Sequence, residues 1–184
     1  MMKSGGENDM RKLLVVVDMQ KDFIDGALGT EEAVKIVGPA AEKIRKAKEQ
    51  GTDIVFTKDT HHKDYLMTQE GRKLPVPHCV KGTEGWELDS SLKELAKGCR
   101  ILEKPTFGSM ELAGIAREKE YEEIELIGLC TDICVISNAM ILKAALPEAV
   151  VRVDPACCAG VTPESHNNAL KAMKACQIET EEGK

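Results

Sequence analysis

Residues 124–139, IELIGLCTDICVISNA, decide how this chain is read. Ile124, Leu126 and Ile127 form a short β-type run that breaks at Gly128. An apolar, helix-spaced tail of Val135, Ile136, Ala139 and Met140 follows Thr131, Asp132 and Cys134. Such a change of period across a glycine marks a strand handing over to a helix. In an open α/β sheet that joint lies at the carboxyl edge of the strand, where ligands sit. Cys134 is thereby predicted at a helix N-terminus, where free N–H groups and the positive dipole end favour the thiolate and pull its pKa below about 8.5. A buried structural thiol fits the same position, so Cys134 alone does not establish a nucleophile.

Outward from this joint, β and α patterns alternate. Residues 12–17 carry the LLVVV run of a strand buried on both faces, ending at Asp18. A helix is predicted over 31–50, capped by Thr30 and broken near Gly38-Pro39. Further strands are predicted over 52–57, 100–102, 123–127 and 149–153, with a last one over 177–180. Further helices are predicted over 90–97, 110–118, 133–145 and 162–175, the last with Thr162-Pro163 as cap and first turn. Residues 60–87 hold histidines, prolines and glycines without a period, and a connection of that length is usually functional or disordered. This alternation predicts a single-domain α/β fold: an open, mainly parallel sheet with helices on both faces, over residues 11–184.

Composition narrows the function. A chain of 184 residues, 42% hydrophobic and 30% charged, suits one globular domain. Its longest apolar runs are far shorter than the roughly 18 residues of a membrane span. Residues 1–10 are polar and lack the apolar core of a signal peptide, so they are read as a disordered lead-in and the protein as cytoplasmic. A net charge of −6 with interleaved signs argues against nucleic acid or anionic membrane as the partner. The seven cysteines include no CxxC pair, which points to reduced thiols rather than a disulfide framework or a zinc knuckle.

Three chemically capable side chains fall at or just beyond strand ends: Asp18, Lys104 and Cys134. Each taken singly fits a turn cap, a surface lysine or a core thiol. Together at one sheet edge they form a nucleophile, a base for its proton and an ammonium that stabilises both anions.

The segments VVVDMQKDF (15–23), LEKPTFGS (102–109) and GLCTDICV (128–135) resemble, in the same order, the three signature blocks of the isochorismatase-like cysteine hydrolases. The resemblance extends over about residues 11–177. It implies that Cys134 is the nucleophile, Asp18 its general base and Lys104 the third member of the triad. It also implies a cis peptide between Leu129 and Cys130, with the N–H groups of Cys130 and Cys134 as the oxyanion hole. Asp59, His61 and His78, with PHCVKGTEG around the last, resemble the metal-binding loop of nicotinamidases. Two imidazoles and a carboxylate suit Zn²⁺ first, with Fe²⁺ or Mn²⁺ as alternatives. Glu70 is the candidate fourth ligand and Asp64 its competitor, while His62 is expected to point elsewhere.

The implied activity is hydrolysis of a small carboxamide through a cysteine thioester, nicotinamide to nicotinate and ammonia. Another small amide or a ureide is the alternative within the superfamily, and a cytosolic redox-sensing or binding protein the alternative outside it. A silent binding protein would be expected to have lost part of the triad, and all three residues are present. The family also implies a homo-oligomer, a dimer or tetramer. Phe23, Leu129 and Trp86 are the expected pocket residues. One departure concerns the ring of the substrate: nicotinamidases carry an aromatic shortly before the later metal histidine, and this chain has Leu74 and Pro75 there. Trp86 and Tyr65 are the candidates to take over that contact.

Overall fold

The computed structural model describes residues 10–180. The lead-in expected over residues 1–10 lies outside them, apart from an exposed Met10. Five parallel strands, β1 (Lys12–Val17), β2 (Asp53–Asp59), β3 (Arg100–Lys104), β4 (Glu123–Leu129) and β5 (Val150–Ala159), form one sheet in the order β3-β2-β1-β4-β5. The continuous apolar run of β1 is explained by its place in the middle of this sheet. Leu14 and Val16 enter one core, and Leu13, Val15 and Val17 enter the other. The two-residue period therefore buries both faces.

Helices α1 (Lys21–Ile24), α2 (Glu31–Glu49) and α4 (Ser90–Ala96) supply Phe23, Ile36, Ile44 and Leu92 to the first core. Helices α5 (Met110–Lys119), α6 (Ile136–Ala145) and α7 (Pro163–Ala175) supply Leu112, Leu142 and Met173 to the second. At about 1.5–3 kcal/mol for each large aliphatic or aromatic side chain fully buried, these contacts fix the sheet between its two helical layers. Thr30 caps α2 by accepting a hydrogen bond from the Ala33 N–H. Thr162 and Ser165 form a reciprocal capping box on α7.

The structure corrects several boundaries. Helix α2 runs unbroken through Gly38-Pro39. Its inward stripe of Ala33, Ile36, Ala40, Ala41 and Ile44 continues across the proline, which is itself exposed. The hydrogen bond Pro39 cannot make is the one to the carbonyl of Lys35, and both residues lie on the exposed face of the helix. Strands β3 and β5 extend beyond the predicted 100–102 and 149–153, because pairing with a neighbouring strand carries the extended backbone past the apolar run. In place of a strand over 177–180 there is one isolated bridge, Arg152 to Glu179. The loop after β2 holds α3 (Gln69–Lys73) and a 3-10 turn at Tyr65–Met67.

The chain adds β2 and β3 on one side of β1, then crosses to add β4 and β5 on the other. The strand order thus reverses between β1 and β4, and a crevice opens at such a point. Gly128 lies opposite Val17 in this central ladder with φ 118°, and a Cβ there would stand 2.1 Å from the Val17 carbonyl oxygen. Gly128→Ala is therefore expected to cost about 3 kcal/mol, roughly 6–12 °C in Tm for a chain of this size. Thermal unfolding followed by circular dichroism checks it, and an unchanged Tm would contradict the packing described here.

Candidate active site

Asp18, Lys104 and Cys134 meet at the carboxyl edge of the sheet. Asp18 leaves β1 in the left-handed region (φ 47°), which aspartate tolerates better than most residues. Its N–H reaches the Thr57 carbonyl and hydroxyl, both at 3.2 Å, and its Oδ1 accepts from the Thr57 hydroxyl at 2.7 Å. The Lys104 ammonium, at the last residue of β3, lies 2.6 Å from Asp18 Oδ2, 3.5 Å from Cys134 Sγ and 3.5 Å from Asp59 Oδ1. It also donates to the Thr106 carbonyl at 3.0 Å. Asp18 and Lys104 are almost wholly buried.

Cys134 sits in a single π-helical turn, Thr131–Val135, closed by the Val135 N–H donating to the Cys130 carbonyl at 3.1 Å. Helix α6 begins only after it. The peptide between Leu129 and Cys130 is cis. The expected lowering of the Cys134 pKa is corrected: burial pushes the thiol well above its ordinary value. The adjacent Asp18 carboxylate, which accepts the thiol's hydrogen bond, adds to the rise, and only Lys104 among the named causes opposes it. Desolvation outweighs the helix dipole here because the sulfur is buried rather than half-exposed at a helix mouth. Burial also raises the Asp18 carboxyl, against the pull of Lys104. Burial would depress Lys104, but Asp18, Cys134 and Asp59 hold it above its ordinary range. Burial thus favours the neutral form of both the thiol and the carboxyl, while Lys104 is held as an ammonium by its anionic neighbours.

A second cluster adjoins the first. One ligand atom each from Asp59, His61, Glu70 and His78 lie within 4.8 Å of one another. His61 Nε2 is 3.0 Å from Asp59 Oδ2 and 3.5 Å from Glu70 Oε1; His78 Nε2 is 3.6 and 3.8 Å from the same two atoms. His61 Nε2 is buried without a hydrogen-bond partner. The His78 ring points its other nitrogen, Nδ1, at the Val76 carbonyl at 2.8 Å, an arrangement that in the neutral imidazole leaves Nε2 with its lone pair facing inward. Inward-facing imidazole nitrogens and two carboxylate oxygens around one point fit a divalent metal ion. Burial works against ionisation of Asp59, yet His61, His78 and Lys104 hold it well below the usual carboxylate range.

Glu70 is placed by α3, where the Thr68 hydroxyl accepts from the Gly71 N–H at 3.0 Å. Asp64 lies outside the cluster, at the start of the 3-10 turn, and His62 is exposed. Of the two candidate carboxylates, Glu70 is the one that stands within the cluster.

Members of both clusters line one cavity of about 250 Å³: Cys134 from the first and Asp59, Glu70 and His78 from the second, with Thr30 and Cys130 beside them. Phe23 and Leu129 line it as well. Trp86 does not: its indole N–H donates to Thr60 Oγ1 at 2.9 Å and its ring is covered by the Lys58 ammonium 3.0 Å from the centroid. Tyr65 packs behind His61 and His78, with ring centroids 4.7 and 5.1 Å away. Leu74, Phe107 and Val161 supply apolar lining to the cavity. Sequence reading missed Phe107, Thr57 and Asn138. Asn138 is a buried amide that accepts from the Ser109 N–H and donates to the Phe107 and Cys134 carbonyls. Phe107 and Ser109 stand inside the quoted LEKPTFGS block, the one signal that would have found this segment.

The isochorismatase domain family model matches residues 12–182. An uncharacterized isochorismatase family protein of Bacillus subtilis is 32% identical over 143 residues, covering 71% of this chain and 78% of that protein. The crystal structure of the pyrazinamidase of Pyrococcus horikoshii in complex with zinc superimposes with a TM-score of 0.81 at 31% identity, covering 94% of this chain and 99% of that one. N-carbamoylsarcosine amidase from Thermoplasma acidophilum gives a TM-score of 0.78 at 29% identity, covering 94% and 96%. The fold, the three residues at the sheet edge and a family match over nearly the whole chain lead to one conclusion: this chain belongs to the isochorismatase family.

Proposed function

We propose that the protein is a cysteine-dependent amidohydrolase that converts nicotinamide to nicotinate and ammonia. The observation that carries this reading is that Cys134 and three members of the second cluster, Asp59, Glu70 and His78, line one small, largely apolar cavity. A metal ion on those four groups, zinc by its donor set and by likeness to the zinc-bound pyrazinamidase, would supply a Lewis-acid anchor for a ring nitrogen. Phe23, Leu74 and Phe107 face the ring.

Asp18 takes the thiol proton as Cys134 attacks the carboxamide carbon. The transfer moves one negative charge from carboxylate to sulfur, and both lie against the same Lys104 ammonium, so the net charge of the buried cluster does not change. The N–H groups of Cys130 and Cys134 hold the oxyanion of the tetrahedral intermediate. That intermediate collapses with cleavage of the C–N bond, and Asp18 returns its proton to the departing ammonia. Water, deprotonated by Asp18, then attacks the thioester, releasing the carboxylate and restoring the thiol. A homo-oligomeric protein of the cytoplasm belongs to the same reading. Among the described residues no helix is long and apolar enough to cross a membrane.

A second reading, hydrolysis of another small amide or a ureide, draws on Leu74 standing where an aromatic is expected and on the likeness to N-carbamoylsarcosine amidase. Ammonia release from nicotinamide and from N-carbamoylsarcosine by the metal-loaded protein separates the two. Turnover of nicotinamide alone supports the first, and turnover only of the ureide replaces it with the second.

The pH dependence of metal binding follows from His78. Burial lowers its pKa, but Asp59 and the Val76 carbonyl more than offset this and raise it above the ordinary histidine value. Its proton must leave before Nε2 can ligate, so affinity is expected to fall as pH drops below that raised pKa. Calorimetric titration of zinc between pH 5.5 and 8, in the order of one unit steps, checks this. A pH-independent affinity would remove His78 from the ligand set.

A further inference from the structure

We infer that Gln20 and Asp22, two residues of the VVVDMQKDF segment outside the reaction itself, are the positioning residues of the metal site. The inference rests on the metal reading above. Strand β2 is paired with β1 only as far as Val17 opposite Thr57, because the chain turns away at Asp18. Asp59 lies two residues further on, and its peptide N–H and C=O on that side have no strand to bond. The Gln20 side chain replaces the missing strand. Its Oε1 accepts from the Asp59 N–H at 2.7 Å, and its Nε2 donates to the Asp59 carbonyl at 2.9 Å and to the Trp86 carbonyl at 2.8 Å. Gln20 is wholly buried. An amide is the side chain that serves here, since the task needs one acceptor and two donors in a plane.

Asp22 does the corresponding work for His78. Its Oδ2 accepts from the Cys79 N–H at 2.8 Å, and Cys79 holds a left-handed backbone with φ 45°. Its own N–H donates to the Gly85 carbonyl at 3.0 Å. A Cβ on Gly85 would stand 2.1 Å from Asp22 Oδ2, so glycine is what lets the loop approach this carboxylate. Two ligands from distant parts of the chain, Asp59 and His78, are thus referred to one short segment that also carries Asp18. Second partners of this kind typically contribute 10–100-fold to metal affinity.

The test is calorimetric zinc binding to the metal-free full chain, with the Tm of the metal-free protein measured beside it. The wild type is measured first, then Gln20→Met, Gln20→Glu and Asp22→Asn. Ile44→Val, in the core away from the site, serves as a destabilised control. Zinc binding by the wild type, a loss of 10–100-fold in affinity in Gln20→Met and a smaller loss in Asp22→Asn support the inference, provided Ile44→Val lowers the Tm without weakening zinc. Gln20→Glu keeps the acceptor and loses both donations, so it carries the same test if Gln20→Met does not fold. Wild-type affinity in the folded Gln20 and Asp22 variants would overturn the inference and leave the metal reading standing. An equal loss of affinity in Ile44→Val would also overturn it, as an effect of general stability. A wild type that binds no zinc would overturn both.

Discussion

Cys134→Ala is expected to leave a folded protein that binds nicotinamide and releases no ammonia from it. The loss should be roughly 10⁴-fold or more, as for other enzymes deprived of a covalent nucleophile. The reason lies in how the cluster divides the work. Asp18 and Lys104 are deep in the protein, and without the sulfur they hold a proton acceptor and a cation but nothing that forms a bond to carbon. Binding should survive, since the metal ligands and the apolar wall of Leu74, Phe107 and Val161 are untouched. Stability should change by no more than about 1 kcal/mol, because a buried thiol replaced by a methyl group loses little packing. Cys130→Ala is the informative companion. The role given to Cys130 belongs to its backbone N–H, so that variant should keep turning over. Ordinary ammonia release by Cys134→Ala would end the thioester mechanism.

Removing the metal should have the second largest effect. The four ligand groups sit within 4.8 Å of one another with two carboxylates among them, an arrangement that is costly without a central cation. Chelation is expected to abolish turnover of nicotinamide, and added Zn²⁺ to restore it. It should also lower the Tm: a site filled at about 100 times its dissociation constant contributes about 2.7 kcal/mol, or some 5–10 °C for a chain of this size. His61→Ala should lower both the metal content by elemental analysis and the apparent affinity for nicotinamide, while Cys134 stays reactive towards a small alkylating reagent. Full activity in chelator with no metal detectable would confine the reaction to the cysteine cluster and leave the loop unexplained. Cys134→Ala and chelation thus fail differently, the first at the chemical step and the second at binding and stability.

The parts of the site that were legible in the sequence are those that follow from strand ends. Asp18, Lys104 and Cys134 each stand next to an apolar run, and a parallel sheet brings such ends together whatever the loops do. Where a side chain's role depends on a partner far away in sequence, the reading failed. Trp86 looked like a pocket aromatic, but Lys58 and Thr60 claim its ring and its N–H. The Cys134 pKa was read from a helix terminus, a local feature, and was reversed by burial and by Asp18, which are long-range ones. The sequence offered Glu70 as the fourth group and left Asp64 open beside it. Thr68 and Gly71 set the short helix that turns Glu70 towards the histidines.

The sequence by itself determined the alternation of strands and helices, the doubly buried central strand and which chemically capable side chains stand at the strand ends. These depend on hydrophobic period, turn residues and side-chain chemistry, which are local. The tertiary structure alone decided which carboxylate joins His61 and His78, which apolar residues wall the cavity, and in which direction burial moves the thiol's pKa. It also decided that α2 passes through Pro39 and that the Gln20 amide completes the edge of β2. Each of these is an energy between groups distant in sequence, set by burial and by the hydrogen bonds left over once the strands have paired.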